Sequence, residues 1–360
     1  MPTRMTDPFN LDAGQTRAEL AELNRRIALG IQTLAETDVT ETGVSEREMV
    51  LAQDKVCLYR YQSAAGITNT TPVLIVYALV NRPYMVDLEQ GRSLIQTLSG
   101  QGLDIYMLDW GYPGPSDQAT GLYDYIAAYI DTAVDFIREQ HGIDKINLLG
   151  ICQGGTLSLC YSSLYQHKIA NLVTTVTPVD FQTEQDLLSH LVQKVDIDLC
   201  IEALGNVPGA FLNWIFLMLK PYSLLGRKYL EMLDEVEDVK KTRSFMRMEK
   251  WIFDSPDQAG TAYREFIRYF YQQNRLVKGE LQLGGKDIDL RSLTLPILNI
   301  YAKRDHLVPP AASRALSACI GSSDYTEVEL DCGHIGLYVS RSSQDKLAPL
   351  ISRWLGVKRG

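Results

Sequence analysis

Several things are scarce in this 360-residue chain. No apolar run approaches the ~20 residues that a membrane-crossing helix needs. The longest, AFLNWIFLMLKPY at residues 210–222, is interrupted by Asn213 and Lys220 and closed by Pro221. The opening residues, MPTRMTDPFNLDAGQTRAEL, hold no apolar core of a secretory leader,. We therefore expect no transmembrane segment and a cytoplasmic location. Cysteine is sparse and scattered, at Cys57, Cys152, Cys160, Cys200, Cys319 and Cys332. No CxxC pair or Cys/His cluster suggests zinc, and free thiols fit a reducing compartment. Positive charge is short as well: 35 Lys and Arg face 44 Asp and Glu, a net −9. An acidic chain gains nothing from a phosphate backbone, which argues against nucleic acid as a partner. Neither internal repeats nor low-complexity tracts occur.

What is present reads as strands alternating with helices. Residues 14–36 form an amphipathic pattern, with Leu20, Leu23, Ile27 and Leu29 near one face,. A helix packed on the domain is the plain reading, and an oligomer contact is the alternative. KVCLYRYQ (55–62) reads as an edge strand, and PVLIVYALV (72–80) as a strand buried on both faces,. Further strands are expected at 103–110, 145–150 and 171–179, with helices at 121–142 and 153–165 between them. This alternation predicts an α/β fold with a mainly parallel sheet covered by helices on both sides. It stops near residue 181. From there to 291 the pattern is mainly helical and dense in aromatics, among them Trp214, Trp251, Phe266 and Tyr271. Strands return at 295–302 and 325–331, with helices near 310–319 and 341–355. The expected organisation is an N-terminal helical extension (1–50), a catalytic core (51–180 and 292–360) and an inserted cap (181–291) over the carboxyl ends of the strands.

The stretch NLLGICQGG (147–155) has the spacing Gly150-x-Cys152-x-Gly154, the form of a nucleophile elbow with sulfur where serine is usual,. It follows an expected strand and opens an expected helix, the context that the motif requires. The helix N-terminus favours negative charge on the sulfur. The plain alternative is that Cys152 is a small buried hydrophobe. A nucleophile of this kind needs a base and an orienting acid, in the chain order nucleophile, acid, histidine. Of five histidines, His334 in LDCGHIG follows the last expected strand, and Asp305 in NIYAKRDHLVPP follows the strand before it. His306 and Asp331 compete less well: the former adjoins Asp305, and the latter lies at a strand end. His141 reads as a favourable charge at a helix C-terminus, and His167 and His190 as surface residues. An oxyanion hole would take one backbone N–H from Gln153 and another from Val80 or Asn81, in the loop after the apolar strand, with Val80 preferred. Arg82 in that loop reads as a solvated charge; meeting an anionic substrate tail is its other possible use.

Together these residues resemble the polyhydroxyalkanoate synthases, through GICQGG, ALVNRPYMVDL, YMLDWGYPGPSD, WIFDSPDQAGTAYREFIRYFYQQNRLVKGEL, YAKRDHLVPP and CGHIG. The resemblance covers nearly everything beyond residue 45. It implies an α/β-hydrolase fold with an inserted helical cap, and polymerisation of (R)-3-hydroxyacyl-CoA, most simply 3-hydroxybutyryl-CoA, into polyester with release of CoA. It also implies a Cys–His–Asp triad at Cys152, His334 and Asp305. Asp305 would orient His334 or activate the incoming hydroxyl itself. No cofactor or metal is implied, since CoA is the substrate's own leaving group. The short chain is similar to the class III two-subunit type, or to class IV, so a second synthase subunit, a homodimer and the polyester granule are the expected partners. A thioesterase or dienelactone-hydrolase-like enzyme would share the same triad but release free acid. A catalytically dead scaffold that binds granules is the reading from outside enzymes, and the intact Cys152, Asp305 and His334 argue against it.

Overall fold

A computed structural model describes residues 13–36, 43–63, 66–69, 71–219 and 227–357. The chain divides into two compact units. One comprises residues 1–41 with 220–250, and the other residues 42–219 with 251–360.

The larger unit is built on an eight-stranded sheet. Its strands are β1 (Arg47–Gln53), β2 (Val56–Tyr61), β3 (Val73–Val76), β4 (Ile105–Asp109), β5 (Ile146–Ile151), β6 (Ile169–Thr175), β7 (Ile297–Ala302) and β8 (Tyr325–Leu330). They lie in the order β1-β2-β4-β3-β5-β6-β7-β8. β2 runs antiparallel to both of its neighbours, and every pair from β4 to β8 is parallel. Every residue of β3, β4, β5 and β7 is buried. These strands are covered on both faces and read as unbroken apolar runs for that reason. At the edge, β8 alternates exposed with partly buried residues. The register sets Ile75 of β3 between Met107 and Leu149.

Two expectations need correction. β2 is not the edge strand, because β1 pairs outside it from Arg47 to Gln53. REMVLAQ has mixed polarity and only partial burial, so its sequence gives a weak strand signal,. The apolar run 72–80 is also not strand throughout: β3 ends at Val76, and Tyr77–Val80 leave the sheet. A third difference lies in 121–142, where a π-helical turn over Tyr125–Ile130 precedes the α-helix Asp131–His141.

β5 leads straight into the helix Gln153–Tyr165, most of which is buried. The crossing is tight. A Cβ on Gly154 would sit 2.2 Å from the Val76 carbonyl oxygen and 2.5 Å from that of Tyr77. One on Gly150 would sit 2.4 Å from the Gly155 Cα. Only glycine lets the helix start lie against the ends of β3 and β5.

Within 181–291, the helices Ile197–Leu204, Gly209–Met218 and Gly260–Glu265 belong to the larger unit, as does a π-helical segment over Phe266–Gln272. Phe181, just past β6, packs edge-on against Phe266, Phe270 and Tyr271 with centroids 5.7, 5.3 and 4.9 Å away. In the smaller unit, the helix Ala13–Glu36 lies where the sequence predicts one. Its Arg25 bonds Glu237 at 2.7 Å, and in the same unit Lys228 and Tyr229 share Glu249.

Gly154→Ala tests the tight crossing. Its methyl would meet backbone oxygens that cannot move aside, so we expect a loss of about 1–3 kcal/mol in denaturant unfolding. Wild-type stability in that variant would show that the helix and β3 can separate freely.

Candidate active site

Cys152 stands between β5 and the helix that follows, with φ 55° and ψ −125°. A non-glycine residue in that region is strained and persists only where its surroundings over-determine it. Here they do. The Cys152 N–H donates to the Thr175 carbonyl at 2.9 Å, and the Cys152 carbonyl accepts from Gly155 N–H at 2.9 Å. The turn lifts the side chain out of the sheet at the carboxyl ends of the strands.

Asp305 follows β7, and its Oδ1 accepts from the backbone N–H groups of Leu307 (2.9 Å) and Val308 (3.0 Å). These bonds aim Oδ2 at His334, which follows β8, and the Nδ1–Oδ2 distance is 2.6 Å. Both side chains are nearly sealed from solvent. Burial by itself would push the His334 pKa down. The charges of Asp305 and Cys152, with the hydrogen bond to Asp305, instead hold it well above its ordinary value. The structure thus brings together Cys152, His334 and Asp305, the three residues singled out from the sequence.

The competitors stand elsewhere. Asp331 is exposed and pairs with Arg304 at 3.1 Å. His306 is partly buried. His167 and His190 are exposed. His141 contacts the Tyr106 hydroxyl at 2.9 Å and Asp104 at 3.4 Å, and burial lowers its pKa. It is thus held in a polar cluster and is more than a charge at a helix end. Arg82 is neither a solvated charge nor free for a substrate tail. It pairs with Asp109 at 2.7 Å, donates to the Gly111 carbonyl at 2.7 Å and lies over the Tyr112 ring at 4.2 Å.

Around Val80, the Leu79 N–H is taken by the Gln153 side-chain oxygen at 3.0 Å. Asn81 has a left-handed backbone, φ 57°. Among the described residues the backbone N–H groups of Val80 and Gln153 have no acceptor.

Sequence reasoning missed a set of buried tyrosines. Tyr77, Tyr271 and Tyr338 all feel the charge of Cys152, and burial, the larger cause, pushes each of their pKa values up. Tyr338 also shares a hydrogen bond with Thr175 at 2.8 Å. They come from a loop, a π-helical segment and a short helix far apart in the chain. Only the apolar setting of Tyr77 in PVLIVYALV hinted at a buried phenol. Among the described residues no three acidic, histidine or cysteine side chains are grouped to hold a metal ion. No helix there is long and apolar enough to cross a membrane.

Residues 71–340 match the family model for the α/β-hydrolase fold. The chain is 51% identical over 350 residues to the poly(3-hydroxyalkanoate) polymerase subunit PhaC of Allochromatium vinosum, covering 97% of this chain and 99% of that one. It is 51% identical to the PhaC subunit of Thiocystis violacea over 97% of this chain and 98% of that one. With the PhaC subunit of Synechocystis sp. it shares 50% identity over 91% of this chain and 89% of that one. Among solved structures, a thermophilic esterase from Thermogutta terrifontis aligns with a TM-score of 0.54 at 15% identity, over 88% of this chain and 100% of that one. The Paleococcus ferrophilus monoacylglycerol lipase aligns with a TM-score of 0.51 at 17% identity, over 84% of this chain and 99% of that one. Those two show the fold alone. The strand order, the family match and the half-identity along nearly the whole length agree: this chain belongs to the α/β-hydrolase family and, within it, to the poly(3-hydroxyalkanoate) polymerase PhaC subunits of class III type.

Proposed function

We propose that the chain polymerises (R)-3-hydroxyacyl-CoA thioesters, 3-hydroxybutyryl-CoA first among them, into polyhydroxyalkanoate with release of CoA, through an acyl group carried on Cys152. The observation that carries this reading is the sulfur held on a strained elbow beside a buried histidine whose Nδ1 is bonded to a carboxylate at 2.6 Å. In the first half-reaction the Cys152 sulfur attacks the thioester carbonyl, a new C–S bond forms, and the CoA sulfur leaves with a proton from His334. One thioester replaces another, so the acyl group stays activated. In the second, His334 takes the proton of a 3-hydroxyl, that oxygen attacks the acyl-cysteine carbonyl, the C–S bond to Cys152 breaks, and the sulfur leaves with the proton that His334 returns, so the ester formed lengthens the chain. Asp305 orients His334 and stabilises its charged form. The N–H groups of Val80 and Gln153 receive the developing oxyanion in both halves.

Alcohol must outcompete water for polymer to grow, which requires a dry site. Residues 181–291 serve as the cap in this reading, on a catalytic core of 51–180 and 292–360, with 1–50 as an extension. The work is done at the surface of a polyester granule, by a dimer of this chain assisted by a second synthase subunit. A site that excludes water must open to admit CoA and release chain, and such opening can set the rate.

Cys152→Ala is expected to abolish CoA release from 3-hydroxybutyryl-CoA while leaving thermal unfolding intact, and Cys152→Ser to retain slow turnover. Ordinary turnover by folded Cys152→Ala would sink the mechanism. CoA release without turbidity from insoluble polymer would point to a hydrolase of the same fold.

The His334 charge gives a pH signature. Its folded-state pKa lies above the unfolded value, so the stability it adds is fully present below about 6.5 and is lost as pH rises through the raised value,. Asp305→Asn removes the nearest cause of that shift and should flatten the alkaline decline in unfolding free energy. An unchanged pH profile in Asp305→Asn would show that the carboxylate does not hold the proton on His334.

The chain alone should show weak activity with a lag, and co-expression with its second subunit should raise the rate without adding catalytic groups. Full-rate polymerisation by the lone chain from the first seconds, unaltered by any added protein, would rule out the two-subunit arrangement.

A further inference from the structure

The helix Gly209–Met218 (GAFLNWIFLM) is apolar except for one residue, Asn213, and that residue is buried. A buried amide on an apolar helix is costly unless it is bonded, and its partner shows its use. The Asn213 Oδ1 accepts from the Ser255 hydroxyl at 2.6 Å. The Ser255 oxygen in turn accepts from Asn81 Nδ2 at 2.7 Å, and the same Nδ2 reaches the Ile252 carbonyl at 3.2 Å. The chain Asn213–Ser255–Asn81 therefore ends on the loop that carries Val80.

That loop is pinned on both sides of Val80. Before it, the Leu79 N–H donates to Gln153 Oε1 at 3.0 Å, and the Leu79 carbonyl accepts from Gln258 Nε2 at 3.0 Å. After it, the Asn81 side chain is held as described, and the Arg82 carbonyl accepts from Trp251 Nε1 at 2.8 Å. Among the described residues the Val80 N–H is left without an acceptor, as are the backbone N–H groups of Asn81 and Arg82 that follow it. The segment that does the pinning is itself stiff. Val207 and Gln258 exchange backbone hydrogen bonds of 3.0 and 2.8 Å. The first residue of the apolar helix, Gly209, lies so close to Ser255 that a Cβ would stand 1.9 Å from the Ser255 carbonyl oxygen. Asn81 has a positive φ of 57°, a region that asparagine tolerates better than most residues, and the bonds to its side chain fix the turn there,.

We propose that Asn213, Ser255 and Asn81 are positioning residues for acyl transfer: their hydrogen-bonded chain fixes the left-handed turn at Asn81 and so aims the Val80 N–H at the oxyanion formed on the Cys152 acyl group. This rests on the reading of Val80 as an oxyanion donor. None of the three side chains need touch substrate. They keep one donor in place through both half-reactions, and they make the geometry of that donor depend on the seating of the helix Gly209–Met218.

The test uses the full chain with 3-hydroxybutyryl-CoA and measures kcat and KM for CoA release, together with the rate at which iodoacetamide alkylates Cys152. Alkylation forms no oxyanion, so it reports the thiol and the integrity of the site apart from the proposed role. Ser255→Ala removes the link, and Asn81→Gly removes the tether while keeping the left-handed backbone accessible. Each should lower kcat by about 10-fold with little change in KM, the cost of a misplaced donor, and leave alkylation unchanged. Ser255→Thr, which keeps the hydroxyl, should restore most of the loss. A third protein carries at position 80 the α-hydroxy acid analogue of valine, whose ester oxygen replaces only the N–H. It should lose on the order of 10²-fold in kcat, as for removal of one oxyanion donor. Full kcat in that ester protein would sink the Val80 reading and this proposal with it. Loss there, with full kcat in Ser255→Ala and Asn81→Gly, would overturn this proposal alone. A fall in alkylation parallel to kcat would also overturn it, by showing that the chain merely keeps the site folded.

Discussion

The close approach of one helix start to two strand ends is the constraint on which the rest of the site depends. The Gly154 Cα lies against the carbonyls that end β3, and Gly150 lies against Gly155 across the turn. With both neighbours fixed, Cys152 has no relaxed backbone conformation left and takes φ 55°. The strain is local, and the surrounding sheet and helix supply the packing that sustains it. The same approach places the side chain of Gln153 against the Leu79 N–H. The elbow and the loop after β3 are therefore parts of one packing arrangement.

Electrostatics works on that frame. A carboxylate and an imidazole that are both withdrawn from water interact strongly only if their remaining valences are met. Asp305 meets this condition with two backbone N–H groups on one oxygen and His334 on the other. The buried tyrosines Tyr77, Tyr271 and Tyr338 carry no charge themselves at neutral pH. They thicken the low-dielectric wall without introducing a competing ion. In the proposed mechanism, a histidine that shuttles a proton between sulfur and a hydroxyl would be served by such a wall, since water in its place would take the acyl group.

How much of this was legible in the sequence follows from which features are local. The elbow could be read because its glycines, cysteine and flanking strand and helix lie within a dozen residues. Asp305 and His334 could be read because each follows a strand with a clear apolar run. β1 could not, because REMVLAQ gains its strand character from pairing with β2 and has little of its own. The end of β3 at Val76 was hidden because the apolar run continues to Val80, and only contact with Gly154 shows where the sheet stops. The roles of Arg82 and Asn81 were hidden for the same reason. Their partners Asp109, Ile252 and Ser255 lie between 27 and 174 residues away along the chain.

The division of the molecule has a consequence for its biosynthesis. The helix Ala13–Glu36 shares its compact unit with residues 220–250 and with no segment in between. A ribosome adding ~5–20 residues per second delivers that second segment roughly 10–40 s after the helix has emerged. Throughout this interval the larger unit is gaining its first six strands, while the helix Ala13–Glu36 is without the segment 220–250 that shares its unit. The two units thus mature by different clocks. The helix is made first, yet its unit cannot close until most of the chain exists, and that interval is when a chaperone or another subunit could most readily engage it.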